Sequence, residues 1–257
     1  MTLLEAFALL ALACPPLAAQ EARRATLGEL VQQARARRDA TDFRAGGRLV
    51  RITGSQQRKN YQISLRAHSF GDVVEVFCEV TAPPAARVRL LMESGGAART
   101  SIRAGHAGDT APKDLAPATW GDPLLDSDLT YEDLMENQFL WQKQTLVREE
   151  KYGARDCYVV RSEPAAVDRS DYSAVTAWLD RQVHYPVKVE KVVKATGQVK
   201  ELIYYGLRES KGIWSASQIE IKIAGQPGST LLIITRGTGQ ARLTAADFDP
   251  ALLTKPY

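Results

Sequence analysis

At 257 residues, with 45% hydrophobic and 25% charged side chains, the chain can build one large all-β domain or two ordinary ones around a substantial core. The 33 basic residues barely outnumber the 30 acidic ones and are scattered among them rather than clustered with aromatics, which excludes the footprint of a nucleic-acid binder. The formal charge of +3 leaves at most a mild attraction to acidic membrane surfaces.

In chain order, Met1 to Gln20 is an apolar run too short to span a bilayer, ending in Pro15-Pro16 and then small residues. That layout predicts a secretory signal over residues 1–19 with cleavage near Ala19, and export to the periplasm, although the leading region carries Glu5 and no Lys or Arg. Lipidation of Cys14, after Ala11-Leu12-Ala13, is the second and weaker reading. Residues 20–257 then form the mature domain. Thr26 with Glu29 reads as a capping box, and Leu27, Leu30, Val31 and Ala34 give the helix to about Arg38 one apolar face.

Strand patterns follow at Gly46 to Thr53, Asn60 to Ala67, Asp72 to Thr81, Arg87 to Met92 and Ala98 to Arg103. From Ala104 to Asp128 the period is lost among glycines and prolines, the mark of a functional or mobile loop. Leu129 to Asn137 reads as a short acidic helix in which Tyr131 and Leu134 face the sheet, while Glu132 and Asp133 offset the helix dipole. A second meander is predicted over Phe139 to Glu149, Cys157 to Arg161, Val175 to Leu179, Val187 to Lys194, Val199 to Leu207, Ile213 to Ile223 and Thr230 to Thr235. Ala195-Thr196-Gly197-Gln198 supplies one of its hairpin turns. The expected fold is mainly β (α+β): one curved antiparallel sheet, with the helices near Leu30 and Leu134 over its concave face.

No enzyme is indicated. The sequence has no Gly-x-Ser-x-Gly elbow and no phosphate loop, and no histidine sits beside a candidate nucleophile. His68, His106 and His184 stand far apart without ligand spacing, so neither a metal nor another cofactor is called for. Cys78 and Cys157 lie in apolar strand patterns that suit buried free thiols better than a disulfide.

Ser127-Asp128-Leu129-Thr130-Tyr131-Glu132-Asp133-Leu134, Cys157-Tyr158-Val159-Val160, Trp178-Leu179-Asp180, Tyr185-Pro186-Val187-Lys188-Val189-Glu190 and Asp247-Phe248 together resemble the outer-membrane lipoprotein-sorting proteins, periplasmic carriers of the LolA-like superfamily. The resemblance implies a half-open β-barrel plugged by helices, with Tyr131, Asp133 and Leu134 in the plug. It also implies an apolar cavity for a lipid or lipoprotein acyl chain, received from an inner-membrane exporter and handed to an outer-membrane acceptor. A monomer is expected. Strand alternation offers Phe139, Trp141, Leu202, Tyr204, Ile219, Ile221, Ile223, Leu232 and Ile234 as its inward residues, with Gln218, Glu220 and Lys222 on the opposite face. The same residues equally suit a closed core. The Ala104 to Asp128 loop is the candidate lid. A lipid- or lipoprotein-sensing interaction module without net transport is the alternative function.

Overall fold

The structure, a computed structural model, describes residues 24–96, 99–210 and 213–257. The expected signal segment and Cys14 lie outside those residues. Helix α1 spans Leu27–Asp39 and starts at the predicted capping box: Thr26 accepts from the Glu29 N–H at 3.3 Å, and the Glu29 carboxylate accepts from the Thr26 N–H at 2.7 Å. Its apolar stripe places Leu30 and Ala34 in the core.

Fifteen strands follow: β1 Asp42–Thr53, β2 Arg58–Phe70, β3 Val73–Ala82, β4 Val88–Ser94, β5 Ser101–Gly105, β6 Lys113–Asp114, β7 Lys143–Tyr152, β8 Arg155–Glu163, β9 Tyr172–Asp180, β10 Pro186–Val193, β11 Val199–Tyr205, β12 Arg208–Ser210, β13 Ile213–Ser215, β14 Gln218–Ile223 and β15 Gly228–Gly239. Thirteen of them form one antiparallel sheet in the order β6-β5-β4-β3-β2-β1-β15-β14-β11-β10-β9-β8-β7, and β12 with β13 makes a separate hairpin. The two meanders are thus sewn together by the β1–β15 seam at the centre of the sheet. Gly47 belongs to that seam, beside a register shift at Gly46/Gly47; a Cβ on it would stand 2.1 Å from the Ile233 carbonyl oxygen. A bulge of this kind, at a position only glycine can fill, bends a sheet.

The sheet is curved but not closed. One edge is the two-residue β6; the other is β7, which is rich in charge and carries a bulge between Leu146 and Arg148. Short, charged and bulged edges resist pairing with another chain. The concave face holds one continuous core, whereas the convex face carries two small apolar clusters. Phe77 and Leu91 lie under Leu243, Phe248 and Leu253 of the C-terminal turns; Cys157, Val159, Trp178 and Val187 make up the other cluster. Cys78 belongs to the concave core, so Cys78 and Cys157, both free, are buried in different clusters.

Four expectations need correction. The acidic helix over Leu129 to Asn137 does not form; two single 3₁₀ turns, Glu132–Leu134 and Asn137–Phe139, stand in its place. A continuous helix is displaced because Asp133 turns toward the buried Lys191 and Lys200 of the sheet and Glu132 toward the half-buried Ser170 and Asp171 just before β9. α1 is therefore the one α-helix among the described residues. Phe139 and Trp141 precede β7 instead of lying in it. The run Ile213 to Ile223 breaks at Ala216-Ser217, where Ser217 N–H bonds the Tyr205 carbonyl at 3.0 Å and β13 leaves the main sheet.

Candidate functional site

The inward side chains of β1 to β5, β8 to β11, β14 and β15 form a continuous apolar wall, and what lies on it is mostly irregular chain. Beside α1, residues 115–141 cross the concave face and bury Trp120, Leu124, Leu129, Met135, Phe139 and Trp141 in the same core. This cover is held by local bonds, such as Trp120 Nε1–H to the Leu115 carbonyl at 3.1 Å and Leu124 N–H to the Leu129 carbonyl at 2.7 Å. Its other bonds reach outward: Arg35 of α1 donates to the Phe139 carbonyl at 2.8 Å, and Arg37 pairs with Glu136 at 2.9 Å.

The sequence-predicted residues divide as follows. Leu202, Ile221 and Leu232 lie buried in the concave core, and Tyr204, Ile219 and Ile234 pack half-buried against it. Phe139 and Trp141 reach the same core from the cover, joined by the half-buried Tyr131 and Leu134. Ile223 is half-buried at the end of β14, outside that cluster. These side chains fill the space between sheet and cover. A void of about 10 Å³ between Trp141, Asn137 and Thr100 is room for at most one water. A larger concavity of about 460 Å³ lies away from this face, among Phe70, Glu75, Glu93 and Arg99.

The sequence reading missed a charged group at the rim. Lys191 of β10 and Lys200 of β11 are direct register partners, and both face inward. Their side chains are only 6% and 3% exposed. The wholly buried Asp133 carboxylate lies between them, with Oδ1 2.8 Å from Lys191 Nζ and Oδ2 2.7 Å from Lys200 Nζ. Tyr172 donates to Oδ1 at 2.7 Å and the Thr130 N–H to Oδ2 at 2.9 Å, so each oxygen accepts two hydrogen bonds. Lys200 also donates to the Tyr172 hydroxyl oxygen at 3.0 Å.

Burial pushes the Asp133 carboxyl upward, but the two ammonium groups and their hydrogen bonds outweigh it and hold the carboxyl well below the usual range. Burial and the adjacent Asp133 charge drive the Tyr172 hydroxyl far upward, so it stays a donor. The neighbouring Glu132, raised mainly by burial, accepts from the Asp171 N–H at 2.9 Å and from the Ser170 hydroxyl. Farther along the rim, Arg51 pairs with Asp128, whose N–H donates to Thr230 Oγ1 at 2.8 Å. Sheet cations thus meet acids of the cover at three places, the third being the exposed Lys59–Asp126 pair at 2.9 Å. A signal for the lysines existed: Lys191 shares parity with Val189 and Val193, and Lys200 with Leu202 and Tyr204.

The described residues, an open, curved antiparallel sheet with one α-helix and a covering segment on its concave face, share their fold with several solved structures. At 20% identity the chain superposes on a putative outer membrane lipoprotein-sorting protein domain from Vibrio parahaemolyticus with a TM-score of 0.79, covering 88% of this chain and 97% of that one. A DUF1329 family protein from Desulfovibrio piger gives 0.79 at 16% identity, over 88% and 96% of the two chains. A LolA superfamily protein from Nitrosomonas europaea gives 0.70 at 17%, over 90% and 100%. No curated protein matches the sequence. A family model described as "Uncharacterized protein" matches residues 110–255, more than half of the chain, and the chain belongs to that family.

Proposed function

We propose that the protein is a non-enzymatic periplasmic carrier that takes up a lipid or lipoprotein acyl chain between sheet and cover for transfer toward the outer membrane. The observation that carries this reading is the cover: an apolar wall is shielded by irregular chain tied down at its rim, not by a second sheet or a helical layer. Such a segment can lift as a unit, and an acyl chain can then replace its side chains on the wall. Burial of the chain is worth about 0.8 kcal/mol per methylene, so extraction from water needs no catalytic group. The lid extends beyond the Ala104 to Asp128 loop, since the buried side chains continue to Trp141. Leu202, Ile221 and Leu232 are the wall residues proposed to meet the acyl chain, with Tyr204, Ile219, Ile223 and Ile234 around them. Exchange with an inner-membrane exporter and an outer-membrane acceptor completes the route.

The fold likeness to lipoprotein-sorting domains supports this reading, and no helix among the described residues is long and apolar enough to cross a membrane. Native mass spectrometry of the protein purified from its own periplasm, followed by lipid extraction, tests it. A co-purifying lipid or acylated peptide is expected. A bare protein mass, with no later uptake of a fluorescent fatty acid, would overturn it in favour of an interaction module.

A further inference from the structure

Two ammonium groups directly opposite each other on one sheet face repel, and burying them requires a counter-charge. Here the sheet does not supply it. Lys191 and Lys200 receive their shared carboxylate, Asp133, from the cover, while Tyr172 of β9 adds a hydroxyl donor from the sheet side. Glu132 does not compete, being turned to the Ser170 hydroxyl and the Asp171 N–H. If the cover lifts, the sheet is left with a three-donor cradle for an anion. The cradle borders the apolar wall: Lys200 shares a strand face with Leu202 and pairs across to Ile223 of β14. An anion site at the rim of an apolar surface fits a molecule with an anionic head and an apolar tail.

We propose that Lys191, Lys200 and Tyr172 form the headgroup site for the carboxylate or phosphate of an acyl-chain amphiphile, and that Asp133 is an internal stand-in for that anion, displaced when cargo enters. This rests on the carrier reading. A cargo carboxylate presents the same two oxygens to the same donors, while its tail takes the place of Leu134, Met135 and Phe139 on the wall. Loading is then an exchange between two similar occupants, and the cover can reverse it by returning Asp133.

The test compares palmitate with hexadecanol, which share a tail and differ in charge, and adds inorganic phosphate, all bound to the delipidated whole chain. Wild-type protein is expected to prefer palmitate. Asp133→Asn should widen that preference about tenfold, the scale of one charge-assisted hydrogen bond, and Lys200→Met, which leaves one neutral Lys191–Asp133 pair, should abolish it. Phosphate should compete with palmitate in Asp133→Asn and leave hexadecanol binding unchanged.

Equal binding of the two amphiphiles by wild-type protein overturns the headgroup site without recourse to any variant. An equal gain for both in Asp133→Asn also overturns it, because Asp133 would then only hold the cover shut. Phosphate binding without amphiphile binding makes the cradle a free-anion site and overturns the lipid assignment. Failure of every form to bind either amphiphile or phosphate is a different result: it removes the carrier reading itself.

Discussion

In the β1–β6 half of the sheet the inward side chains are Leu49, Tyr61, Ile63, Leu65, Cys78, Val80, Leu90, Met92 and Ile102, all in the concave core, while pairs such as Arg89–Glu79 and Arg103–Glu93 lie at other positions on the same strands. The β7–β15 half has an apolar wall too, but it also turns Lys191 and Lys200 inward to meet an acid that arrives from the cover. The first half coheres mainly through burial; its ion pairs to the cover, Arg51–Asp128 and the exposed Lys59–Asp126, each join one cation to one acid. The second depends on a counter-charge carried by a segment with little regular structure, and that is where opening of the site is expected to be controlled.

The sharpest way to break this asymmetry is Asp133→Ala. It strands two buried ammonium groups and should cost about 3–5 kcal/mol of stability, with a fall in the urea midpoint as the readout. Replacing Lys191, Asp133 and Lys200 together by Met, Leu and Met should recover most of that loss, since removing a whole buried ionic group is far less costly than breaking it. A triple variant as unstable as Asp133→Ala would mean that the charges themselves hold the fold.

How far the sequence foretold this differs between the same two regions. α1, with its capping box, and nearly every strand were readable because their determinants are local: Thr26 with Glu29, the alternation of Tyr61, Ile63 and Leu65, and Gly197 at a φ of 69° in the β10–β11 turn. The cover was readable only in part: Tyr131 and Leu134 were expected to face the sheet, but the bonds that fix the segment were not, because their determinants are distant. Asp133 looks like a first-turn acid, yet its partners lie 58 and 67 residues away. Phe139 and Trp141 alternate as a strand would, yet they belong to the cover. The inward residues Leu202, Ile221 and Leu232 were predicted by parity, whereas the same rule applied to lysine would have exposed the rim cluster.

In the apolar half, Leu90→Ala should cost about 2–4 kcal/mol, because Leu90, opposite Cys78 in the concave core, is wholly buried and its loss leaves a cavity. The effect should be independent of pH and salt. A strong salt dependence of that loss would blur the distinction between the halves.

A subtler contrast lies in acid. Asp133 is depressed, so its contribution to stability is present above the unfolded carboxyl value near about 4 and is lost as the pH falls below it. Glu132 is raised by burial, so its ionised form is penalised in the fold, and that penalty lifts as the pH falls from 7 toward about 5. Wild-type stability should therefore rise slightly from pH 7 to 5 and then drop below 4. In Glu132→Gln the rise should flatten while the acid drop remains; a persistent rise would assign it elsewhere, with Glu75 of β3, raised by burial and by Glu93, as the next candidate.

The smallest effect is expected at an ion pair that resembles the rim cluster on paper. Arg99 and Asp72 pair beside the larger concavity, but their side chains are 54% and 67% exposed. Solvent screens such a pair and the chain gives up side-chain freedom to make it, so Arg99→Ala should change stability by no more than about 0.5 kcal/mol. The gap between that value and the Asp133→Ala loss measures what burial adds to a carboxylate–cation contact in this fold. If the two substitutions cost the same, Asp133 would have to be reached by water, and the cover would already be open in the resting protein.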